Sequence, residues 1–194
     1  MEGCERRKIE RVYVFIDGSN LYKSIKERGI ESKIDIRKLS EFLCGKDRRL
    51  VKICFYSAPV SQQEDSLAYK GQQKFFDALK KISYLELRLG HLRKREKVYN
   101  CEHCGKKVII KYRIEKGVDV RLAIDILQYA FDDQYDTAIL ITQDGDFVPA
   151  VQEVQRLGKR VENVHFDKSF LSDSCDDFIP LTPHIIEENS LGKI

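Results

Sequence analysis

No apolar run in this chain approaches the length of a membrane span, so it is not expected to enter a bilayer. Met1 to Arg11 is charged and lacks an apolar stretch, which gives no ground for a secretory signal. Internal repeats, low-complexity runs and an interdomain linker are all missing. That leaves one ordinary domain, expected over residues 1–182, with a short tail over 183–194 that has little to pack. No Cys–His or Ser–His pairing suggests a covalent nucleophile, and nothing points to a small-molecule cofactor. Six cysteines are present, but only Cys101 and Cys104 have a motif spacing. Cys44 and Cys54 sit among apolar neighbours as small core residues. A reduced, cytoplasmic protein is the expectation.

What is there suffices for a core: 194 residues, 42% hydrophobic and 34% charged. The net charge of +3 says little, but its distribution says more. Nine cations (Arg93, Lys94, Arg95, Lys97, Lys106, Lys107, Lys111, Arg113 and Lys116) face three acids, Glu96, Glu102 and Glu115, within one short stretch. From Asp167 to Glu188 the balance reverses, with six acids and only Lys168. A basic stretch beside an acidic site suits a polyanionic substrate. A solvated basic hairpin accounts for the same charges.

Strand-like and helix-like segments alternate, which predicts an α/β sandwich around a mostly parallel sheet. Val12–Ile16, Leu50–Tyr56, Tyr84–Leu89, Asp136–Thr142 and Arg160–Phe166 read as strands. Ser19 is the expected cap of a first helix that stops at Gly29. Asp35 opens a second, with Ile36, Leu39, Phe42 and Leu43 inward. Ser61 and Glu64 form a capping box for a third, which buries Leu67, Phe75, Phe76 and Leu79. A helix is expected over Val118–Phe131, and another begins near Pro149 and stops at Gly158. Between them, Val98 to Ile114 breaks the alternation as an inserted hairpin, in an insertion spanning about 93–116.

Two acidic segments follow strands directly: Asp17-Gly18-Ser19-Asn20 and Thr142-Gln143-Asp144-Gly145-Asp146. In a parallel sheet the carboxyl ends of the strands share one edge. Carboxylates gathered there repel, and a divalent cation relieves the repulsion. With 100° per residue, Leu122, Ala123, Ile126, Leu127 and Ala130 fall within about 80° of Asp119. Asp119 is therefore expected on the apolar face, in the first turn, and Asp125 with Arg121 and Gln128 on the polar face. Each acidic segment has a plain alternative as turn or cap chemistry. Their shared sheet edge favours a metal site.

Phe15-Ile16-Asp17-Gly18-Ser19-Asn20-Leu21, Lys116-Gly117-Val118-Asp119-Val120 and Thr142-Gln143-Asp144-Gly145-Asp146-Phe147-Val148-Pro149 together resemble the NYN domain, a branch of the PIN-like nucleases. The likeness is closest to its LabA-type members and covers about Arg11 to Phe166. It implies a PIN-like three-layer α/β/α sandwich and metal-dependent ribonuclease activity. It also implies that Asp17, Asp119, Asp144 and Asp146 surround the metal, with Asn20 and Thr142 in support. Mg²⁺ or Mn²⁺ fits such a carboxylate set, since phosphodiester hydrolysis needs an activated water and stabilised phosphorane charge. Lys116 is a candidate phosphate contact, with Arg113 and Lys111 beyond it; each is otherwise an ordinary solvated cation.

Cys101-x-x-Cys104-Gly105 is half of a zinc knuckle, since a closed site needs four ligands. His91, His103, Cys175 or a second subunit are the candidates to complete it. A redox pair and two unligated thiols are the alternatives. Tyr99 and Tyr112 among the cations make the hairpin a candidate RNA clamp. The expectation is a ribonuclease, endonucleolytic, with RNA as partner and a homodimer as the second-subunit case. Its rivals are an RNA- or protein-binding module with an inactive site and a small-molecule phosphoesterase.

Overall fold

The computed structural model describes residues 9–60 and 66–191, with 113–115 given by backbone only. The elements run β1 (Arg11–Asp17), α1 (Gly18–Glu27), α2 (Ile36–Cys44), β2 (Arg49–Ser57), α3 (Ser66–Leu79), β3 (Leu85–Leu89), β4 (His91–Asn100) and β5 (Lys107–Lys116). They continue with α4 (Val118–Phe131), β6 (Thr137–Ile141), a 3-10 turn (Gly145–Phe147), α5 (Val148–Arg156), β7 (Arg160–His165), α6 (Phe170–Ser174), β8 (Asp177–Pro180) and α7 (Pro183–Glu188). Six strands form one sheet in the order β3-β2-β1-β6-β7-β8. Every neighbouring pair is parallel.

Strand alternation sorts the core into two layers. Val12, Val14 and Ile16 of β1 point to the face covered by Leu21 and Ile25 of α1, Leu39 and Leu43 of α2, Phe76 and Leu79 of α3 and Ile186 of α7. Tyr13 and Phe15 point to the other face, under Leu122 and Ile126 of α4, Val151 and Val154 of α5 and Leu171 of α6. A sheet covered on both sides needs near-continuous apolar strands, and β1 and β6 supply them. Each such fully buried side chain contributes on the order of 1.5–3 kcal/mol. The result is the expected three-layer α/β/α sandwich.

Several local expectations are corrected. Asp17, not Ser19, caps α1: its Oδ1 accepts the Asn20 backbone N–H at 3.0 Å. Phe42 and Leu67 are exposed rather than inward. The stretch after Pro183 is not without packing, since α7 buries Ile186 and Ser190 bridges to Ile34. The short α6 and β8 carried no readable periodicity and went unexpected. The Ser61–Glu64 capping box lies outside the described residues. The hairpin is present as β4 and β5, antiparallel from His91↔Lys116 to Asn100↔Lys107. It forms a separate two-stranded sheet.

Candidate active site

From β1 the chain winds outward to β2 and β3, then returns to β6 on the other side of β1 and winds outward again. The order therefore reverses between β1 and β6. The loops leaving these two strands part to opposite faces, which opens a crevice at their carboxyl ends. Register sets Phe15 beside Leu140 and Ile16 beside Ile141, so Asp17 and Thr142 are the next residues out on adjacent strands. Residues 125 positions apart in sequence meet because the sheet pairs their strands.

The contacts across this crevice form a chain. The Thr142 hydroxyl donates to Asp17 Oδ2 at 3.4 Å, and the Asp144 N–H donates to Thr142 Oγ1 at 3.3 Å. The Asp146 N–H donates to Asp144 Oδ1 at 3.0 Å, and the Gln143 N–H to Asn20 Oδ1 at 3.3 Å. Thr142 thus ties the Asp144 loop to the end of β1. The Asn20 backbone N–H orients Asp17, while its side chain holds the opposite loop. Asp17 is only 6% exposed, and Thr142 is fully buried. Gly18 is required here because a Cβ would meet the Phe55 ring at 2.5 Å and the Tyr56 carbonyl at 2.8 Å.

The helical arithmetic for α4 is reversed by the structure. Asp119 is exposed, whereas Asp125 is 3% exposed. The Tyr56 hydroxyl donates to Asp125 at 3.0 Å, and Arg121 and Arg88 approach it at 3.0 and 3.7 Å. A buried carboxylate with these partners pins α4 to β2 and β3. Asp119 instead stands at the open end of α4. Partial burial raises its carboxyl above the usual carboxylate range, the nearby Asp144 and Asp146 raise it further, and Lys116 opposes them. Asp119 therefore belongs to the same acidic neighbourhood as the β6 loop.

The residues fit a hard divalent cation by their chemistry. Asp119 feels the charges of Asp144 and Asp146, and Asp17 joins this neighbourhood through Thr142. Among the described residues, however, no three His, Cys, Asp or Glu side chains are close enough together to enclose an ion. A groove of about 1010 Å³ runs beside the crevice, lined by Gly18, Ser19, Tyr22, Ser57 and Phe75. Its lining does not include the four carboxylates.

Lys116 is exposed at the base of the ribbon formed by β4 and β5, close enough to Asp119 to stabilise its charge. Lys111 lies farther out and pairs with Glu96 at 3.5 Å. Arg113 is placed by backbone between them, opposite Lys94. Directly paired residues of an antiparallel ribbon share a face. One face therefore carries Arg95 with Tyr112, Lys97 with Ile110 and Tyr99 with Val108, and the other carries Glu96 with Lys111 and Val98 with Ile109. Lys97 also lies over the Tyr99 ring at 4.9 Å. The first face holds no carboxylate among the described side chains.

Cys101 and Cys104 sit at the ribbon tip, while His91 pairs with Lys116 at its base. Nine residues of strand separate the two ends by roughly 30 Å, so His91 cannot join Cys101 and Cys104 at one ion. Cys175 packs against the layer of α4 and α5 instead. Sequence reading missed Asn163 of β7. This fully buried side chain donates to the Leu140 and Thr142 carbonyls at 3.1 and 2.8 Å and fixes the strand end that carries the acidic loop. The signal was legible: Glu162, Asn163 and His165 are polar residues inside a buried strand.

A 44-residue stretch is 39% identical to the uncharacterized protein MJ0482 of Methanocaldococcus jannaschii, covering 23% of this chain and 18% of that protein. The chain thus matches less than a fifth of that relative's length. The crystal structure of VPA0982, a protein of unknown function from Vibrio parahaemolyticus RIMD 2210633, superposes with a TM-score of 0.63 at 21% identity. The alignment covers 94% of this chain and 97% of that one, and it shows a shared fold. Residues 11–182 match the NYN domain, a span that holds the crevice, all four carboxylates and the ribbon. On that match the chain belongs to the NYN domain family, a family of PIN-like nucleases.

Proposed function

We propose that this protein is a cytoplasmic, Mg²⁺- or Mn²⁺-dependent ribonuclease that cuts single-stranded or structured RNA internally. The observation that carries the reading is the hydrogen-bonded path from Asp17 through Thr142 to Asp144, which ties the ends of β1 and β6 into one acidic crevice. A bound divalent ion would neutralise phosphate charge and lower the pKa of its water. Asp17 and Asp144 would hold that ion directly, with Asp119 and Asp146 as further ligands or as acceptors for its waters. Thr142 and Asn20 keep the two loops in register, so the carboxylates need not reorganise when substrate arrives.

The rest of the chain addresses the RNA. Lys116 and the amino end of α4 present positive potential beside the carboxylates. No side chain among the described residues caps that end, which leaves its first-turn N–H groups open to an anion. The acid-free face of the ribbon offers Arg93, Arg95 and Lys97 to successive phosphates, and Tyr112 to unpaired bases. Free thiols at all five described cysteines agree with a reducing compartment.

A second reading is an RNA-binding module without turnover, favoured by the carboxylates standing adjacent rather than closed on a point. Labelled RNA, labelled DNA and a chromogenic phosphoester, each incubated with and without Mn²⁺, decide between the readings. Internal RNA cuts that need Mn²⁺ and vanish in Asp17→Asn and Asp144→Asn support the ribonuclease. Tight RNA binding with no cleavage under either metal supports the module. Turnover of the phosphoester alone overturns both.

A further inference from the structure

The ribbon of β4 and β5 is a paradox on its own terms. Two strands alone are marginal in water, and this pair leaves both faces solvated. Its outer third is also apolar: Val98, Tyr99, Val108, Ile109 and Ile110 are each about half exposed. The cations Arg93, Lys94 and Arg95 lie nearer the base. So the part most suited to RNA and the part most in need of a cover are different parts of the ribbon.

The tip has the construction of a metal knuckle. Cys101 donates its N–H to the Lys106 carbonyl at 2.9 Å and accepts the Gly105 N–H at its own carbonyl at 2.8 Å. Gly105 takes φ +67°, which lets the turn close. The backbone N–H groups of His103 and Cys104 are directed at the Cys101 sulfur. Such N–H groups offset charge on a metal-bound thiolate. Both thiols are free; Cys104 is exposed and Cys101 partly so.

Two thiolates do not close a tetrahedral site. Within the described residues the chain does not supply the rest: no third His, Cys, Asp or Glu gathers with this pair, His103 between them included. His91 is at the far end of the ribbon, Cys44 and Cys54 are in the core, and Cys175 packs beside α5. His165 is buried against Ser24, and His184 pairs with Glu188 on α7. A second copy of this chain, related by a two-fold axis through the tip, brings the same pair again. Lys106 and Lys107, beside the cysteines, offset the double negative charge of a four-thiolate zinc centre. The exposed Val98, Tyr99, Val108, Ile109 and Ile110 then lie where two tips meet.

We propose that two copies of this chain join tip to tip through one Zn²⁺ held by Cys101 and Cys104 of each copy. Each thiol gives up its proton to solvent as the ion binds, so binding is a ligand exchange with no redox step. The pairing leaves the cationic base of each ribbon and both acidic crevices open. It does not depend on the ribonuclease reading.

The test uses the full chain, reduced and stripped of metal, then loaded with Co²⁺ or Zn²⁺. Thiolate-to-cobalt absorption reports the sulfur ligands, which the carboxylate crevice cannot mimic. Light scattering reports mass. The expected result is saturation at one ion per two chains and a mass twice the 22.6 kDa of one chain. Both signals vanish in Cys101→Ser and Cys104→Ser and persist in Cys175→Ser. A thiolate band at one ion per monomer, a dimer that survives chelation, or no thiolate band at all each overturns the proposal.

Discussion

Strand β1 buries six of its seven residues, while β4 exposes nine of its ten. Each residue of β4 has a partner on β5, and β1 pairs on both sides, with one register shift after Val12. What separates them is the cover. Helices close both sides of β1, so its side chains are fixed by packing and its final residue, Asp17, is held in place. Among the described residues no layer lies over β4, and nine of its ten side chains stay open to solvent. In this molecule the central sheet positions the carboxylates and the ribbon displays the cations. Damage to one is expected to appear as lost stability or turnover, and damage to the other as lost binding.

The largest predicted difference is in stability. Phe15→Ala in β1 removes a fully buried ring and is expected to cost about 3–5 kcal/mol. Val98→Ala on the ribbon, measured without metal, is expected to stay within about 0.5 kcal/mol. Urea unfolding of both variants checks the contrast, and equal losses would break it.

Next comes turnover. Asp17→Asn keeps a side chain that can still cap α1, so the fold should hold. RNA cleavage is nevertheless expected to fall about 10²–10³-fold, the scale of losing one preorganised charge-stabilising group. Asp144→Asn should match it. Asn163→Ala, which frees the Thr142 carbonyl, is expected to lose about 10–100-fold, the scale of second-layer support to a metal ligand. Single-turnover rates rank the three.

The ribbon's two faces sharpen the comparison further. Arg93→Ala with Arg95→Ala is expected to weaken RNA binding and flatten its salt dependence by about 0.7 log units per lost phosphate contact. Glu96→Gln, on the other face, is expected to leave that slope unchanged. Fluorescence anisotropy across a salt series checks both, and thermal melting should show neither variant unfolded.

The smallest effect concerns pH. Burial, with Arg28 nearby, lowers the pKa of His165 below its ordinary 6.5. Above pH 6.5 the imidazole is neutral in both states, and it neither adds nor removes stability. As pH falls through 6.5 the unfolded chain binds a proton that the folded chain refuses, so stability declines by at most about 1.4 kcal/mol per unit. His165→Gln should flatten that part of the curve, as measured by urea midpoints between pH 5 and 7.

The sequence made the sheet legible because covered strands must be apolar throughout, and Val12–Ile16 and Ala138–Ile141 are. The convergence of Asp17 with the Asp144 loop followed from the rule that parallel strands share one edge. The bounds of α4 were legible in full, yet its faces were not. A helical wheel averages hydropathy and cannot see that Tyr56 and Arg88, from β2 and β3, make a core position out of Asp125. Nor could it see that Val118, not Asp119, takes the buried position of the first turn, which leaves Asp119 at the open edge. The elements α6 and β8 were hidden by brevity, with five and four residues and too few repeats to show a period. The cap of α1 was misplaced because Ser19 and Asp17 are both good caps, and only the end of β1 decides between them.

Asp17 and Asp144 are proposed to share one divalent ion at the β1/β6 crevice. Crystals of the full chain soaked in Mn²⁺ and measured at the manganese absorption edge test this most directly. An anomalous peak within ligand distance of both carboxylates, lost in Asp17→Asn, is the predicted result. Manganese bound elsewhere on the molecule, with no peak between those two residues, would contradict it.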